Sequence, residues 1–432
     1  MSKTESAGQL LKNLFDIRRE ERPIVLLLFL WFMLFIASYY IMKGVRRGLV
    51  INDLGADSLP LIYMGAPAVI AIVVWIYSHF THLPRKALIT AILTISFLNL
   101  GLWWWALGKH WEWASGVFWI WLDASSIIGV TIFWMYANDL FSSEAAKRLF
   151  GILGAGGGLG AIIGSSLTAS LVKTVGAVNM ILFAAGIILV TIGAFLLAER
   201  LTQGRSGAKA KDFEQLDLSG LRGVLKTIFS NRFLLFLLTM VMFERILPVF
   251  VDFIYSKSLE ASVSGAEQIA SFDAMLEGWR SFGELFIQLF VTATILRFLG
   301  PRFALLSLAF LYAAGSLAFL VAPAVVMALI LKHSEEGIRH TWFKAGKEVT
   351  YTVTTRDVLY KVKPYIEMFF YRFAQGLAGL TLLLLTNLFN LGLLAVAVVS
   401  LIAAGAFAYS AWRLSAEFHR LEAQTRNDAA AT

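Results

Sequence analysis

The sequence predicts an all-α membrane protein with twelve transmembrane helices in two six-helix bundles. Of its 432 residues, 58% are hydrophobic and only 15% are charged, whereas soluble domains contain about 25% charged residues. Apolar runs of about 20 residues, the length that crosses a bilayer as a helix, recur along the whole chain. A polar and basic stretch at 199–232 interrupts them near the middle of the chain. We therefore expect two membrane bundles joined by a linker.

The individual spans follow from these apolar runs. In the N-terminal bundle, 1–198, we predict spans at 24–42, 59–78, 87–107, 114–137, 149–172 and 177–198. In the C-terminal bundle, 233–432, we predict spans at 233–254, 275–296, 303–320, 323–343, 365–386 and 388–411. The linker contains GRSGAKAKD, a flexible and soluble composition. Before the first span, 9–22 predicts an amphipathic helix on the inner membrane surface.

The distribution of basic residues predicts the orientation. Most of the 37 Lys and Arg residues lie in segments on the same side of the membrane as the termini. Because cytoplasmic loops are enriched in Lys and Arg, both termini are predicted to be cytoplasmic. The net charge of +8 then reflects these loops and does not indicate a nucleic-acid partner.

A glycine-rich stretch predicts close helix packing. Gly156, Gly160 and Gly164 recur every four residues on one helix face, where small residues let another backbone approach. The stretch also contains a GxGxxA match. Dinucleotide binding would require a preceding strand and a βαβ unit, which the sequence does not predict, so we favour helix packing.

Ionisable side chains inside spans are costly and usually mark a polar pathway. The predicted substrate-binding residues are Asp123, Glu244, Arg245, Lys332, His333, Glu336, Arg339, Arg372 and Gln375. Glu336 can pair with Lys332 at i,i+4, whereas Glu244 points about 100° away from Arg245 around the helix. Arg245 and Arg372 are therefore the expected anchors for an anion. The alternative is that the charges pair within one bundle and only stabilise the fold.

Charges near the ends of the spans predict two gates. The outer gate would use Lys43, Arg46, Arg47, Asp252, Glu277, Arg280 and Glu284. The inner gate would use Asn138, Asp139, Lys147, Arg148, Lys361 and Lys363. We expect Arg46 or Arg47 to meet Asp252 or Glu277 in the state closed to the outside, and Asp139 to approach Lys361 or Lys363. Glu277, Arg280 and Glu284 can instead pair with one another along their helix.

Several kinds of chemistry are not predicted. The chain has no cysteine, which excludes disulfides and thiolate metal sites. No His, Asp and Glu spacing resembles a metal site, and no P-loop or nucleophile motif is present. We expect no metal, no cofactor and no enzymatic activity.

Three stretches together resemble the bacterial and plastid-type nucleotide transporters, the ATP/ADP exchangers related to the major facilitator superfamily. They are YYIMKGVRRGLVINDLGADSLPLIYMG, FWMYANDLFSSEAAKRLFG and WFKAGKEVTYTVTTRDVLYKVKPYIEMFFYR. The resemblance implies major-facilitator-like bundles and alternating access, and it matches functional family residues at Arg46, Asp139 and Asp252. The chain departs from the family pattern at Arg47, where the family has an acid. It also has Gln375 at the position of the family's lysine, with Arg372 nearby, and so resembles a divergent member.

The sequence thus predicts a secondary active transporter of a nucleotide or related phosphorylated or anionic solute. Two alternatives stay open: a proton-coupled transporter of another solute, such as a peptide, siderophore or lipid-like molecule, and a non-transporting membrane scaffold or receptor. The expected partners are an anionic small molecule and the lipid bilayer, without nucleic acid. We expect a monomer in the bacterial inner (plasma) membrane.

Overall fold

The computed structural model describes residues 17–80, 83–202, 220–354, 358 and 362–431. These residues form helices joined by short connections. Most of the amphipathic helix predicted at 9–22 lies outside the described residues, and so does the GRSGAKAKD part of the predicted linker. The described part of that linker includes a short helix that the polar composition did not predict, Leu221–Ser230.

The helices that precede the linker in the chain follow the predicted spans and extend beyond them at most ends. They are α1 (Arg22–Leu54), α2 (Leu59–His79), α3 (Arg85–Gly108), α4 (Glu112–Leu140), α5 (Ser143–Val175) and α6 (Met180–Leu201). A single 3₁₀ turn, Ala56–Ser58, separates α1 from α2. The Ser142 side chain accepts a hydrogen bond from the backbone N–H of Ala145 at 3.3 Å and so caps the start of α5.

The helices of the C-terminal half are interrupted more often than those of the N-terminal half. They are α7 (Leu221–Ser230), α8 (Arg232–Ser262), α9 (Ala266–Phe290), α10 (Thr292–Phe298), α11 (Gly300–Val321), α12 (Val325–Ile338), α13 (Lys344–Thr350), α14 (Tyr371–Leu382) and α15 (Leu393–Ala431). A π-helical turn, Arg339–Phe343, connects α12 to α13. Two further π-helical turns, Tyr365–Phe370 and Leu383–Leu388, flank α14.

The all-α membrane architecture predicted from the sequence is confirmed, and the number of candidate spans in the described part of the chain is close to the predicted twelve. Among the described residues, ten helices are long and apolar enough to cross a membrane, and α9 and α10, which meet at 48°, make eleven if they count as one span. The predicted tenth span, 323–343, does not qualify. It is the 14-residue α12 followed by the π-helical turn, in which Thr341 has a non-helical backbone. Its buried charges Lys332, Glu335 and Glu336 make it too polar for a simple lipid-facing span.

The described residues divide into two compact units, each with its own hydrophobic core. The N-terminal unit contains the described parts of Met1–Asp53, Val69–Phe213 and Gly265–Phe282. The C-terminal unit contains those of Leu54–Ala68, Glu214–Ser264 and Gly283–Thr432. Neither unit is continuous in sequence, because the first part of α2 belongs to the C-terminal unit and the first part of α9 to the N-terminal unit.

The glycine face predicted on α5 packs closely against α1 in the N-terminal unit. A Cβ added at Gly160 would lie 2.2 Å from the carbonyl oxygen of Met33, and one at Gly164 would lie 2.3 Å from that of Ala37. Both distances are shorter than van der Waals contact, so only glycine allows this approach. The prediction of helix packing at these positions is therefore confirmed.

Candidate functional site

The clearest candidate site lies in the C-terminal unit, where α8 packs against α14. Gln375 is 1% exposed, and its Oε1 accepts hydrogen bonds from two guanidinium groups. Arg245 Nη2 donates to this oxygen at 2.5 Å, and Arg372 Nη1 donates to it at 3.2 Å. We call Arg245 and Arg372 with this shared acceptor the arginine pair. Two cations therefore converge on one neutral amide.

Arg245 is held in place by groups that carry no negative charge. Its guanidinium carbon lies 5.1 Å from the ring centroid of Tyr371, a cation–π distance. Among the described residues it forms no ion pair, and its buried Nε donates no hydrogen bond. Its sequence neighbour Glu244 faces another direction and binds Lys347 at 2.7 Å. The half-buried guanidinium of Arg245 therefore has N–H donors available for an anion.

Lys332, another predicted basic residue of the substrate site, has acidic partners. Its Nζ lies 2.7 Å from Asp252 Oδ1 and 2.9 Å from Glu336 Oε1, so the predicted pairing with Glu336 is confirmed. The hydroxyl of Tyr63 donates to the other oxygen of Asp252. We call Lys332, Asp252 and Glu336 the Lys332 cluster. The structure thus places Asp252, predicted as an outer-gate residue, beside a predicted substrate-binding residue.

The remaining predicted residues of α12 and its continuation also contact neighbours in the C-terminal unit. Arg339 Nε donates to Glu335 Oε2 at 3.1 Å, and the Tyr312 hydroxyl donates to the same carboxylate at 2.7 Å. The His333 ring lies edge-on to the Tyr255 ring, with 5.8 Å between centroids. Arg339 is thereby part of a buried ion pair rather than an exposed anion anchor.

Sequence reasoning missed a second buried cluster in this unit. Lys347 Nζ lies 2.7 Å from Glu244 Oε2 and 3.0 Å from Glu367 Oε2, and the Tyr351 hydroxyl donates to Glu367 Oε1 at 2.8 Å. We call these four residues the Lys347 cluster. The signal was present in the stretch from WFKAGKEVTY to KVKPYIE. Lys347 was overlooked because it lies four residues beyond the end predicted for span ten.

Most of the predicted outer-gate residues lie in the N-terminal unit. Arg46 Nη1 donates to Asp123 Oδ1 at 2.5 Å, and its guanidinium carbon lies 4.3 Å from the Trp119 ring centroid. Arg47 Nε lies 3.1 Å from Asp273 Oδ1 on α9. Asp123, predicted to bind substrate, is therefore the partner of a predicted gate residue, and Asp273 was not predicted at all.

Further predicted outer-gate residues meet on α1 and α9 within the same unit. Lys43 pairs with Glu277. Arg280 Nη2 donates to Glu277 Oε1 at 2.6 Å, as the alternative of pairing along one helix predicts, and to the Tyr40 hydroxyl at 3.4 Å. Glu284 belongs to the C-terminal unit, where its carboxylate lies 3.1 Å from His340 Nδ1. The predicted contact of Arg46 or Arg47 with Asp252 or Glu277 stays a prediction.

The described inner-gate residues each contact a neighbour within their own unit. Asp139 Oδ2 lies 4.0 Å from Arg85 Nη1, and Asn138 donates to the carbonyl oxygen of Trp134 at 2.8 Å. The two described basic members have separate acidic partners, Glu21 for Arg148 at 3.0 Å and Glu348 for Lys363 at 2.7 Å. The side chain of Lys147 and all of Lys361 lie outside the described residues. An approach of Asp139 to Lys361 or Lys363 therefore stays a prediction.

Glu21, which precedes α1 and lies outside the spans, pairs with Arg148 on α5 at 3.0 Å. Burial raises the pKa of Glu21, but hydrogen bonds from the Arg148 side chain and the Arg18 backbone N–H lower it by more. The net effect is a lowered pKa, because these donors favour the ionised carboxylate.

Comparisons with known proteins identify the fold. No protein-family model matches the sequence, and no curated protein is significantly similar to it. Among solved structures, the nucleoside transporter NupG aligns over 93% of this chain and 99% of its own, with a TM-score of 0.58 and 14% identity. A bacterial homologue of the iron transporter ferroportin, in an inward-facing state, aligns over 90% and 98%, with a TM-score of 0.66 and 13% identity. The peptide transporter PepTSo of the POT family aligns over 93% and 98%, with a TM-score of 0.62 and 12% identity.

These alignments cover nearly the whole of each transporter chain and of this one. At such low identity they establish the fold and leave the solute undetermined. The chain is a multi-pass, all-α membrane protein with a fold of the major facilitator type.

Proposed function

We propose that the chain is a secondary active transporter of an anionic solute, of the class of nucleotides or related phosphorylated compounds. The solute would bind at the arginine pair in the C-terminal unit. Transport would proceed by alternating access, with both termini in the cytoplasm and with the predicted inner and outer gate residues closing opposite ends of the pathway.

This proposal rests on the observation that Arg245 and Arg372 both donate to the neutral amide oxygen of Gln375. Even a half-buried arginine without a carboxylate partner is costly in a membrane protein. The partners of Arg245 are an amide oxygen and an aromatic ring, and neither carries a negative charge that would neutralise the guanidinium. A phosphate or carboxylate group could take over the amide's hydrogen bonds and neutralise the charge, and arginine's planar fork suits both groups.

The choice of a nucleotide within this class has two further supports. The sequence resembles nucleotide transporters in three stretches, although Gln375 stands at the position of the family's lysine. One of the structurally similar proteins is a nucleoside transporter. The other similar structures include an iron transporter homologue and a peptide transporter, so the experiment has to compare solute classes directly.

The test is a thermal-shift screen of the purified full-length chain against nucleotides, inorganic phosphate, peptides and cations. A ligand at about 100 times its dissociation constant stabilises the folded state by about 2.7 kcal/mol, so a nucleotide or another phosphorylated compound should raise the melting temperature. In Arg245→Ala, loss of a charge-assisted contact of about 2–5 kcal/mol should weaken binding by about 30-fold or more.

Arg413→Ala is the matched control. Arg413 is a half-buried arginine whose guanidinium lies over the Phe236 ring at 5.2 Å, so its loss removes a cation–π contact without touching the arginine pair. It should leave ligand binding unchanged. A stabilising peptide or cation, or unchanged anion binding in Arg245→Ala, would contradict the proposal and favour the alternative of another solute.

A further inference from the structure

The short helix α7 has two faces of opposite character in the C-terminal unit. Val224 and Ile228 are buried, with exposed fractions of 8% and 0%, and belong to the hydrophobic core of this unit. Arg222, Lys226 and Phe229 are exposed. At about 100° per residue these three lie within about 60° of one another, on the side of the helix that faces away from the core. We call them the α7 stripe.

The two basic residues of the α7 stripe do not stabilise the helix itself. The helix contains no acidic residue, and neither Arg222 nor Lys226 forms an ion pair with another residue of the described ranges. Arg222 lies in the first turn, at the positive end of the helix dipole. Lys226 follows it at i+4, where like charges repel each other. Because both arrangements are unfavourable in an isolated helix, these charges indicate a negatively charged partner outside α7.

The position of α7 along the chain brings the α7 stripe to the membrane surface. A single residue, Asn231, separates α7 from α8, and its side chain caps α8 by accepting from the backbone N–H of Phe233 at 2.9 Å. α8 contains 31 residues and is one of the candidate spans. A rise of about 1.5 Å per residue makes it about 46 Å long, comparable with the ~40–45 Å of a bilayer including its headgroup regions. The first residues of α8, and the α7 stripe beside them, therefore lie at the level of the lipid headgroups.

We infer that the α7 stripe is a binding surface for the headgroups of anionic phospholipids in the membrane that the chain spans. Arg222 and Lys226 donate to phosphate oxygens, and each basic side chain at an anionic membrane surface strengthens the attachment. The Phe229 ring, which is 65% exposed, enters the boundary between headgroups and acyl chains, where apolar side chains of surface helices lie. Since the opposite face of α7 is fixed to the protein core, lipid binding holds the start of α8 at a set depth. This inference does not depend on the proposed function.

The test uses the absence of cysteine from the chain, which lets a single spin label report on α7. The full-length Ser230→Cys variant is labelled and reconstituted into lipid nanodiscs, which leave both membrane faces accessible. One set contains phosphatidylcholine alone, and the other contains about 30% phosphatidylglycerol, which makes the surface anionic. We expect the label, which is next to Phe229, to become less accessible to a neutral, water-soluble nickel chelate in the anionic nanodiscs. Arg222→Gln combined with Lys226→Gln should abolish this protection and keep the helix, because Gln is a good helix former.

Lys86→Gln combined with Arg302→Gln is the matched control. Lys86 and Arg302 are exposed basic residues near the starts of α3 and α11, so this variant loses the same charge and keeps the α7 stripe. It should retain the protection, and about 0.5 M salt should weaken the protection by screening. Equal accessibility in the two lipid mixtures, which coverage of the stripe by another segment of the chain would give, overturns the inference. Undiminished protection in the variant without Arg222 and Lys226 also overturns it.

Discussion

The arginine pair and the Lys332 cluster show two ways in which the same unit holds basic side chains. Both involve α8: Arg245 contacts Gln375 on α14, and Asp252, two helical turns later, contacts Lys332 on α12. Lys332 lies between two carboxylates, whereas Arg245 and Arg372 share one neutral amide oxygen. The two sites differ in the acceptor groups around the cation, which are carboxylates for Lys332 and a neutral amide oxygen for Arg245.

This difference separates a structural role from a binding role. A buried ion pair that loses one partner leaves an uncompensated charge, so the remaining group destabilises the fold. A cation held by a neutral acceptor keeps its charge available for a ligand of opposite sign. Basic residues inside spans therefore cannot be ranked as substrate anchors from their position alone, because their partners decide the role.

The largest effect on anion binding is expected from Gln375→Glu, which would give Arg245 a carboxylate partner, as Lys332 already has. A carboxylate at this position would neutralise part of the charge that the substrate needs. We expect anion binding to fall by about 100-fold, equivalent to about 2.8 kcal/mol, while the melting temperature stays equal or rises. Ligand titration and thermal unfolding of the same preparation measure both quantities. Undiminished anion binding would show that the arginines do not depend on a neutral partner.

The largest effect on stability is expected at Lys332. Lys332→Met removes the cation between Asp252 and Glu336 and should lower the free energy of unfolding by about 3–5 kcal/mol. Lys363→Met, which breaks a half-exposed pair with Glu348, should cost less than about 1 kcal/mol. Denaturant unfolding in detergent measures the difference between the two variants. Equal stability losses would remove the contrast between a buried cluster and a surface pair.

The smallest effect is expected at the ion pair of Glu21 and Arg148. Because the pKa of Glu21 is lowered in the folded chain, its ion pair stabilises the fold above the carboxyl group's usual pKa. This contribution is lost as the pH falls through the lowered value, and it should amount to less than about 1 kcal/mol. Melting temperatures recorded from neutral to acidic pH for the native chain and Arg148→Met should converge at low pH. A difference that grows on acidification would contradict the sign of this effect.

The sequence predicted the helices of this protein well where the signal was hydropathy and missed the breaks. The predicted 59–78 corresponds to Leu59–His79, and 87–107 to Arg85–Gly108. The bend between α9 and α10 and the π-helical turn after α12 were not predicted. Hydropathy measures how apolar a segment is. The position of a helix break depends instead on how the polar side chains of that helix pack against its neighbours.

In the candidate site, too, the sequence predicted a local contact and missed contacts between residues far apart in the chain. The pairing of Lys332 with Glu336 followed from a spacing of four residues on one helix, and the structure contains it. The partners of Arg47 and Lys347 did not follow, because Asp273 and Glu244 lie far away in sequence. Gln375 was placed among the substrate-binding residues, but its role as the acceptor shared by two arginines was not predicted.

By itself, the sequence determined the membrane class, the order of the apolar helices and the glycine face of α5, since these properties depend on composition and on the local period of a helix. Only the tertiary structure decided which charges compensate one another. Glu244 is 103 positions from Lys347 and Arg245 is 130 positions from Gln375. Such contacts depend on the depth and rotation of each helix against its neighbours, which the packing of the whole unit sets and no single segment encodes.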